Sequence, residues 1–205
     1  MKPARFLFSI GLFLGGCSLN NSNDKSAGTP SAADRQKIIA FNKFIKKFKP
    51  LRLPLTLRTF DLQSTDGLHR ITGKDSIFIN SGYPNETWAY GFLADTADNF
   101  KLIWLSPTEV FVPVLTTFSK QGQKISEQYL GVGQCGSDCC FTCTESVIIN
   151  KDLTIYSVDS IKSCTCDSSG PKKETMQNSI QFMKGRISPN GQITMSAVQE
   201  KNIDR

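Results

Sequence analysis

The stretch that decides the fold is residues 135–166, CGSDCCFTCTESVIINKDLTIYSVDSIKSCTC. Two runs rich in β-branched residues flank a polar segment at 150–152, which is typical of a β-hairpin. A turn centred on Lys151 gathers six cysteines at the open end of this hairpin: Cys135, Cys139, Cys140, Cys143, Cys164 and Cys166.

The six cysteines form an even, clustered set, as in the disulfide framework of an exported domain. The predicted turn places Cys143 opposite Asp159 and brings the first four cysteines within bonding range of Cys164 and Cys166. We predict that two bridges run to Cys164 and Cys166 and that the leftover pair closes locally. Spacing alone does not choose among the connectivities.

Two other uses of these sulfurs have a weaker basis. The Cys140-Phe141-Thr142-Cys143 spacing resembles a thiol redox site, but such sites open a helix, and this motif leads into a strand. Together with Cys164 and Cys166 it would also supply four thiolates for zinc or an iron–sulfur centre. Because an oxidising compartment disfavours free thiols, we predict structural disulfides and no metal or cofactor.

The rest of the body is strand-rich. About nine segments between Leu53 and Gln199 carry β-branched or alternating apolar residues, with short turns such as Asp66-Gly67 between them. No alternation of strands with helices is present, which favours an antiparallel meander.

One helix is predicted over residues 31–48. Ser31 and Asp34 resemble a capping box, and Pro50 follows the last turn. Phe44 lies beside an apolar stripe at helical spacing, formed by Ile38, Phe41, Ile45 and Phe48. We therefore predict an α+β fold with a single domain over 31–205, in which an N-terminal amphipathic helix packs on a mostly antiparallel, curved sheet of about nine strands, stapled by disulfides.

The N-terminus has the features of a secretory signal. Lys2 and Arg5 precede the apolar run Phe6–Leu14, which is too short to span a bilayer. The following Leu14-Gly15-Gly16-Cys17 resembles the lipobox of bacterial lipoprotein precursors. The resemblance implies that residues 1–16 are a signal peptide, and that Cys17 becomes the lipidated N-terminus of the mature chain, with palmitate among its acyl groups.

The lipoprotein resemblance also predicts a location. Residues 17–30 are polar and rich in Asn, Ser and Gly, as expected of a flexible tether behind the lipid. Ser18, rather than Asp, follows the cysteine, which resembles the sorting signal for the outer membrane. We expect a periplasm-facing envelope protein held at the membrane by its lipid, with six further cysteines left to pair.

An aromatic strand is the candidate ligand-binding face. Trp88, Tyr90 and Phe92 alternate with small residues and are predicted to share one face of a strand. Core packing is the ordinary explanation of such a pattern, and an apolar or sugar-stacking pocket is the alternative.

Signals for catalysis or nucleic-acid binding are weak. The net charge of +6 is too small to indicate nucleic acid. The lone His69 has no nucleophile-elbow motif beside it, Asp95 and Asp98 lie in a polar loop, and the Gly-x-Gly-x-x-Gly string at 131–136 leads into a cysteine-rich turn rather than a helix. We expect a non-enzymatic binding or structural module that meets an envelope protein partner. A carrier of lipophilic cargo is the alternative, and a thiol-active enzyme is less favoured.

Overall fold

Two β-sheets and one α-helix form the part of the chain that the computed structural model describes, residues 31–79, 86–108, 110–133, 135–136 and 138–203. The predicted signal peptide, Cys17 and tether lie outside these residues. The helix α1 is Ala32–Ile45, and short 3-10 helices occupy Thr59–Gln63 and Gly73–Asp75. The strands are β1 Lys49–Leu51, β2 Leu55–Arg58, β3 His69–Arg70, β4 Trp88–Leu93, β5 Phe100–Ser106, β6 Val112–Phe118, β7 Lys124–Tyr129, β8 Phe141–Ile149, β9 Thr154–Asp167, β10 Gly170–Ile187, β11 Ile193–Met195 and β12 Gln199–Asn202.

Each sheet has six strands within the described residues. Sheet 1 has the order β1-β4-β5-β6-β7, and β3 also pairs with β4. Sheet 2 has the order β11-β10-β9-β8-β2, and β12 also pairs with β10. The pair β1–β4 is parallel, and the other described pairs are antiparallel.

The described residues form three layers: α1, sheet 1 and sheet 2. Strands β5 and β6 are buried along nearly their whole length, because sheet 1 is covered on both faces. One face contributes Leu93, Ile103 and Leu115 to the core shared with Val147 and Ile149 of sheet 2. The opposite face meets a cluster of phenylalanines from α1 and the segments after it.

The helix begins where the sequence predicts. The backbone N–H of Asp34 donates to the Ser31 hydroxyl at 3.1 Å, and the Asp34 carboxylate accepts from the Ser31 backbone N–H at 3.2 Å, which completes the capping box. The helix ends at Ile45, before the predicted Phe48.

The predicted packing of the N-terminal helix on the sheet does not extend to the first two turns of the helix. Residues 31–37 are exposed, and burial begins further along, at Phe41 and Phe44. The reason is the composition of the first two turns, AADRQK, which offer no large apolar side chain to the sheet. Gly122 has a φ of 76°, and a Cβ there would lie 2.6 Å from the Phe41 ring, so the turn before β7 is shaped to receive that ring.

The prediction of a single curved sheet of about nine strands is also wrong, because the described residues form twelve strands in two sheets. The predicted strand Leu53–Leu62 is the short strand β2 followed by a 3-10 helix. Strand β2 pairs with β8, far along the chain, at Leu57↔Val147. Local patterns do not specify such long-range pairing, so they cannot show where one sheet ends and another begins. The coarser prediction of a mainly antiparallel β protein with one helix and disulfides is confirmed.

The β8–β9 hairpin forms with a register two residues from the predicted one. Cys143 pairs with Ile161, and Asp159 instead pairs with Glu145. Since side chains alternate along a strand with a period of two, this shift leaves each side chain on its predicted face.

The turn explains the shift in register. The loop spans 151–153 rather than 150–152: Asn150 N–H donates to Thr154 O at 2.9 Å, and Leu153 N–H donates to Asn150 O at 3.0 Å. Leu153 has a φ of 64°. Three-residue hairpin loops commonly end with a residue in the left-handed helical conformation, which is usually glycine or asparagine. A leucine at this position gives no indication in the sequence that the loop ends there.

Candidate functional site

Three disulfides lie at the open end of the β8–β9 hairpin, and the prediction of disulfide bonding is confirmed. Two bridges run to β9: Cys139–Cys166, with Cα atoms 6.3 Å apart, and Cys140–Cys164, with Cα atoms 5.4 Å apart. The third, Cys135–Cys143, closes locally with a Cα separation of 5.1 Å. All three distances lie in the normal range for disulfides.

This pairing bears on the two alternative uses of the sulfurs. Cys140 and Cys143 are bonded to different partners, so the Cys-x-x-Cys motif does not form its own redox disulfide. The sulfurs of Cys135 and Cys143 lie within 4.8 Å of a carboxylate oxygen of Asp159. Since both sulfurs are in a disulfide, neither is a thiolate ligand, and this group offers a metal only the carboxyl group of Asp159.

A cleft opens beside the local disulfide, between the 3-10 helix Thr59–Gln63, the segment before β6 and the segment between β7 and β8. It consists of two adjoining cavities of about 480 and 440 Å³, which share Val110, Cys135 and Glu145 as walls. The first cavity is also lined by Thr59, Phe60, Gln63, Gly136, Cys143 and Thr144. The second is also lined by Thr108, Val112, Tyr129, Gly131, Val132 and Gly133.

Glu145 is the charged group common to both cavities. Its side chain faces inward from β8 and the residue is only 4% exposed. The carboxylate accepts hydrogen bonds from the Thr59 hydroxyl at 3.2 Å and from the Gly133 backbone N–H at 3.4 Å. A Cβ on Gly131 would lie 2.6 Å from a Glu145 carboxylate oxygen, so the glycine lets the backbone pass directly over the carboxylate.

A second carboxylate lies next to Glu145 in sheet 2. Asp159 is its register partner on β9 and is fully buried, and Gln181 of β10 continues the row. Asp159 is not among the residues that line either cavity. Its carboxylate is therefore not presented to the cleft.

The rim of the cleft is aromatic. Phe60 is 89% exposed at the mouth of the first cavity, and Tyr129 is 56% exposed at the second. Gln63 holds the 3-10 helix in place: its amide donates to Thr59 O at 2.7 Å, and its side-chain oxygen accepts from Phe111 N–H at 3.4 Å. Two large exposed rings beside a buried carboxylate give the cleft both an apolar and a charged surface.

The predicted aromatic face is divided in the structure. A β-bulge at Tyr90 interrupts the pairing of β4 with β5. Trp88 and Tyr90 consequently pack against the core between the sheets, while Phe92 packs against the phenylalanine cluster under α1. None of the three lines either cavity of the cleft. Burial, together with the negative charge of Asp61, raises the pKa of Tyr90.

The other sequence candidates lie away from the cleft. His69 is exposed on β3, and Asp95 interacts with the buried Lys101, whose ammonium group lies 3.6 Å from the Asp95 carboxylate. Sequence reasoning missed Glu145, although a signal existed: in TCTESVII it takes an inward position of the same alternation that places Val147 and Ile149 in the core.

Comparisons with known proteins return no relative: no family model, curated protein or solved structure matches this chain. Among the described residues, no helix has the length and apolar character needed to cross a membrane.

Proposed function

We propose that this protein is a lipid-anchored envelope module, attached through Cys17, which binds a protein partner at the cleft beside Cys135–Cys143. The observation that carries the proposal is the cleft itself: a buried carboxylate at its floor and two exposed aromatic rings at its rim. Concave sites with apolar walls and a few convergent polar groups are the usual form of binding sites. Exposed aromatic residues are enriched at protein interfaces.

The disulfides support the location. Three bridges within one short region are typical of exported domains and rare in the reducing cytosol. The lipobox-like Leu14-Gly15-Gly16-Cys17 supplies the expected anchor. A lipoprotein with two or three acyl chains remains stably bound to its membrane, whereas a single chain binds only marginally.

The core favours a partner over lipophilic cargo. The space between the sheets is occupied by packed side chains such as Leu105, Leu115 and Ile149. Trp88 and Tyr90, the expected lining of a cargo cavity, pack against this core instead of lining the cleft.

The arrangement of the carboxylates favours binding over hydrolysis. A glycosidase-type mechanism needs two carboxyl groups that both face the substrate. Of the carboxylates in the part of the chain that the structure describes, Glu145 alone lines the cleft, while Asp159 is fully buried behind it. We therefore expect no catalytic role for the pair.

Site-specific photo-crosslinking in intact cells tests the partner site. A photoreactive residue at Phe60 is compared with one at Ile77, which is 68% exposed and follows the 3-10 helix Gly73–Asp75 beside the phenylalanine cluster. We expect one protein adduct from position 60 and none from 77. The identified protein, once purified, should bind the wild type and lose affinity for a Phe60→Ala, Tyr129→Ala variant.

Other crosslinking outcomes would contradict the partner proposal. Equal adducts from positions 60 and 77, or an adduct of acyl-chain mass at position 60, would contradict binding of a protein at the cleft. The anchor is tested separately with Cys17→Ala. This variant should leave the membrane fraction, and its N-terminus should carry no acyl groups by mass spectrometry.

A further inference from the structure

We infer that the group bound in this cleft is an organic cation, the ammonium or guanidinium of a lysine or arginine side chain on the partner. Glu145 is its counter-charge, and Phe60 and Val110 cover its aliphatic stem. The inference rests on the proposed function and specifies the chemistry that the partner presents.

The first argument is the unbalanced charge of Glu145. The carboxylate is buried, and the hydrogen bonds it accepts from described residues come from one hydroxyl and one amide, both at 3.2 Å or longer. No lysine, arginine or histidine of the described residues lies within ion-pair distance of it. A buried charge without an opposite charge is destabilising. A cation entering from outside supplies the missing opposite charge.

The second argument is the lining of the cavities. Among the described residues, no lysine or arginine lines either cavity, and Glu145 is the one acidic side chain in either lining. An anionic ligand would therefore meet repulsion and no basic partner. Cations are favoured further by the rings of Phe60 and Tyr129 at the rim, because aromatic faces attract ammonium and guanidinium groups.

The third argument separates an organic cation from a metal ion. Calcium requires six to eight oxygen ligands, and magnesium requires octahedral oxygen ligation. Within residues 31–79, 86–108, 110–133, 135–136 and 138–203, the cleft offers one carboxylate, with the sulfurs of Cys135 and Cys143 held in a disulfide. Apolar walls such as Val110 and Val112 suit the methylene stem of a long side chain, which can pack while its charged tip reaches Glu145.

The test uses side-chain mimics on the purified lipoprotein in detergent micelles. n-Butylammonium and n-butylguanidinium imitate the two side chains, n-butanol is the uncharged control, and calcium chloride is the metal control. Amide chemical shifts of Thr59, Gly131 and Gly133 are followed by NMR during each titration. We expect saturable shifts with both cations, and at least about tenfold weaker binding of n-butanol.

Two matched variants locate the charge. Glu145→Gln keeps the shape of the side chain and should weaken both cations at least about tenfold. Glu174→Gln removes a carboxylate from the exposed part of β10 and should leave the affinities unchanged. Should Glu145→Gln fail to fold, Phe60→Ser changes only an exposed rim residue, and should weaken the cations about threefold by removing the apolar wall.

Several outcomes would overturn the inference. The organic cations cause no chemical-shift changes, or n-butanol binds as tightly as n-butylammonium. A folded Glu145→Gln variant binds the cations with unchanged affinity. Calcium causes shift changes where the organic cations cause none. In each case the Phe60 crosslinking result stands independently. Failure of the charge argument is therefore distinguishable from failure of the partner site.

Discussion

The two disulfides that join the segment before β8 to β9 should partly compensate for each other. Cys139–Cys166 and Cys140–Cys164 have sequence separations of 27 and 24, so they close almost the same loop. In the chain-entropy model, either bridge alone stabilises the fold by about 3.5 kcal/mol. Once one is closed, the other closes a ring of only about five residues and contributes about 2 kcal/mol more.

This reasoning gives three quantitative expectations. Each bridge is removed by replacing both of its cysteines with alanine. Loss of Cys139–Cys166 alone should lower the free energy of unfolding by about 2 kcal/mol, and so should loss of Cys140–Cys164 alone. Removing both should lower it by about 5.5 kcal/mol, about 1.5 kcal/mol more than the sum of the single losses. Urea denaturation without reductant measures these values, with sucrose added to every sample so that the least stable variant remains folded.

The third bridge is the matched control. Cys135–Cys143 has a sequence separation of 8, so its removal should cost about 2.5 kcal/mol. Closing Cys140–Cys164 does not shorten the covalent path from Cys135 to Cys143, which still runs through residues 136–142. The cost of losing Cys135–Cys143 should therefore be similar whether Cys140–Cys164 is present or absent. Single losses near 3.5 kcal/mol that simply add would refute the shared-loop argument.

Two further predictions concern the phenylalanine cluster and its border. Phe41→Ala removes a fully buried ring whose centroid lies 5.1 Å from that of Phe118. The free energy of unfolding, measured with denaturant, should fall by about 3–5 kcal/mol. The control Ile39→Ala, on the exposed side of α1, should lower it by less than about 0.5 kcal/mol. Burial alone would raise the pKa of Asp75, but the hydrogen bonds from Lys47 and the Thr72 segment outweigh it and lower that pKa. The stability gained from the Asp75 carboxylate is therefore present above its unfolded-state pKa and lost as the pH falls through the folded-state value. Asp75→Asn should lower the free energy of unfolding by about 1–2 kcal/mol at pH 7, and should not lower it once Asp75 of the wild type is protonated. A loss of stability that persists at low pH would contradict this.

Features encoded by neighbouring residues were predictable from the sequence. The start of α1 depends on Ser31 and Asp34, which are three residues apart and satisfy each other's backbone and side-chain groups. The β8–β9 hairpin follows from two alternating runs around a polar turn, and the disulfides follow from an even cysteine set at its open end.

The candidate site was less predictable, because its parts come from distant segments. Glu145, Phe60 and Tyr129 meet only when β2 pairs with β8 and the two sheets pack together. The prediction that Trp88, Tyr90 and Phe92 share one face was wrong for a related reason. The bulge at Tyr90 turns the two ends of the strand to different faces, and no local residue pattern indicates the bulge.

By itself, the sequence determined the number of cysteines, the start of the helix and the mainly antiparallel character of the fold. It also determined the face that each side chain of the β8–β9 hairpin presents. Helix capping, alternation and turn formation act over a few residues, which is why the sequence alone is sufficient for these features. Tertiary structure alone decided the division into two sheets, the two-residue shift in register and the cleft around Glu145. These features depend on which distant strands minimise exposed apolar surface together, and on a left-handed turn residue, Leu153, that local preference disfavours.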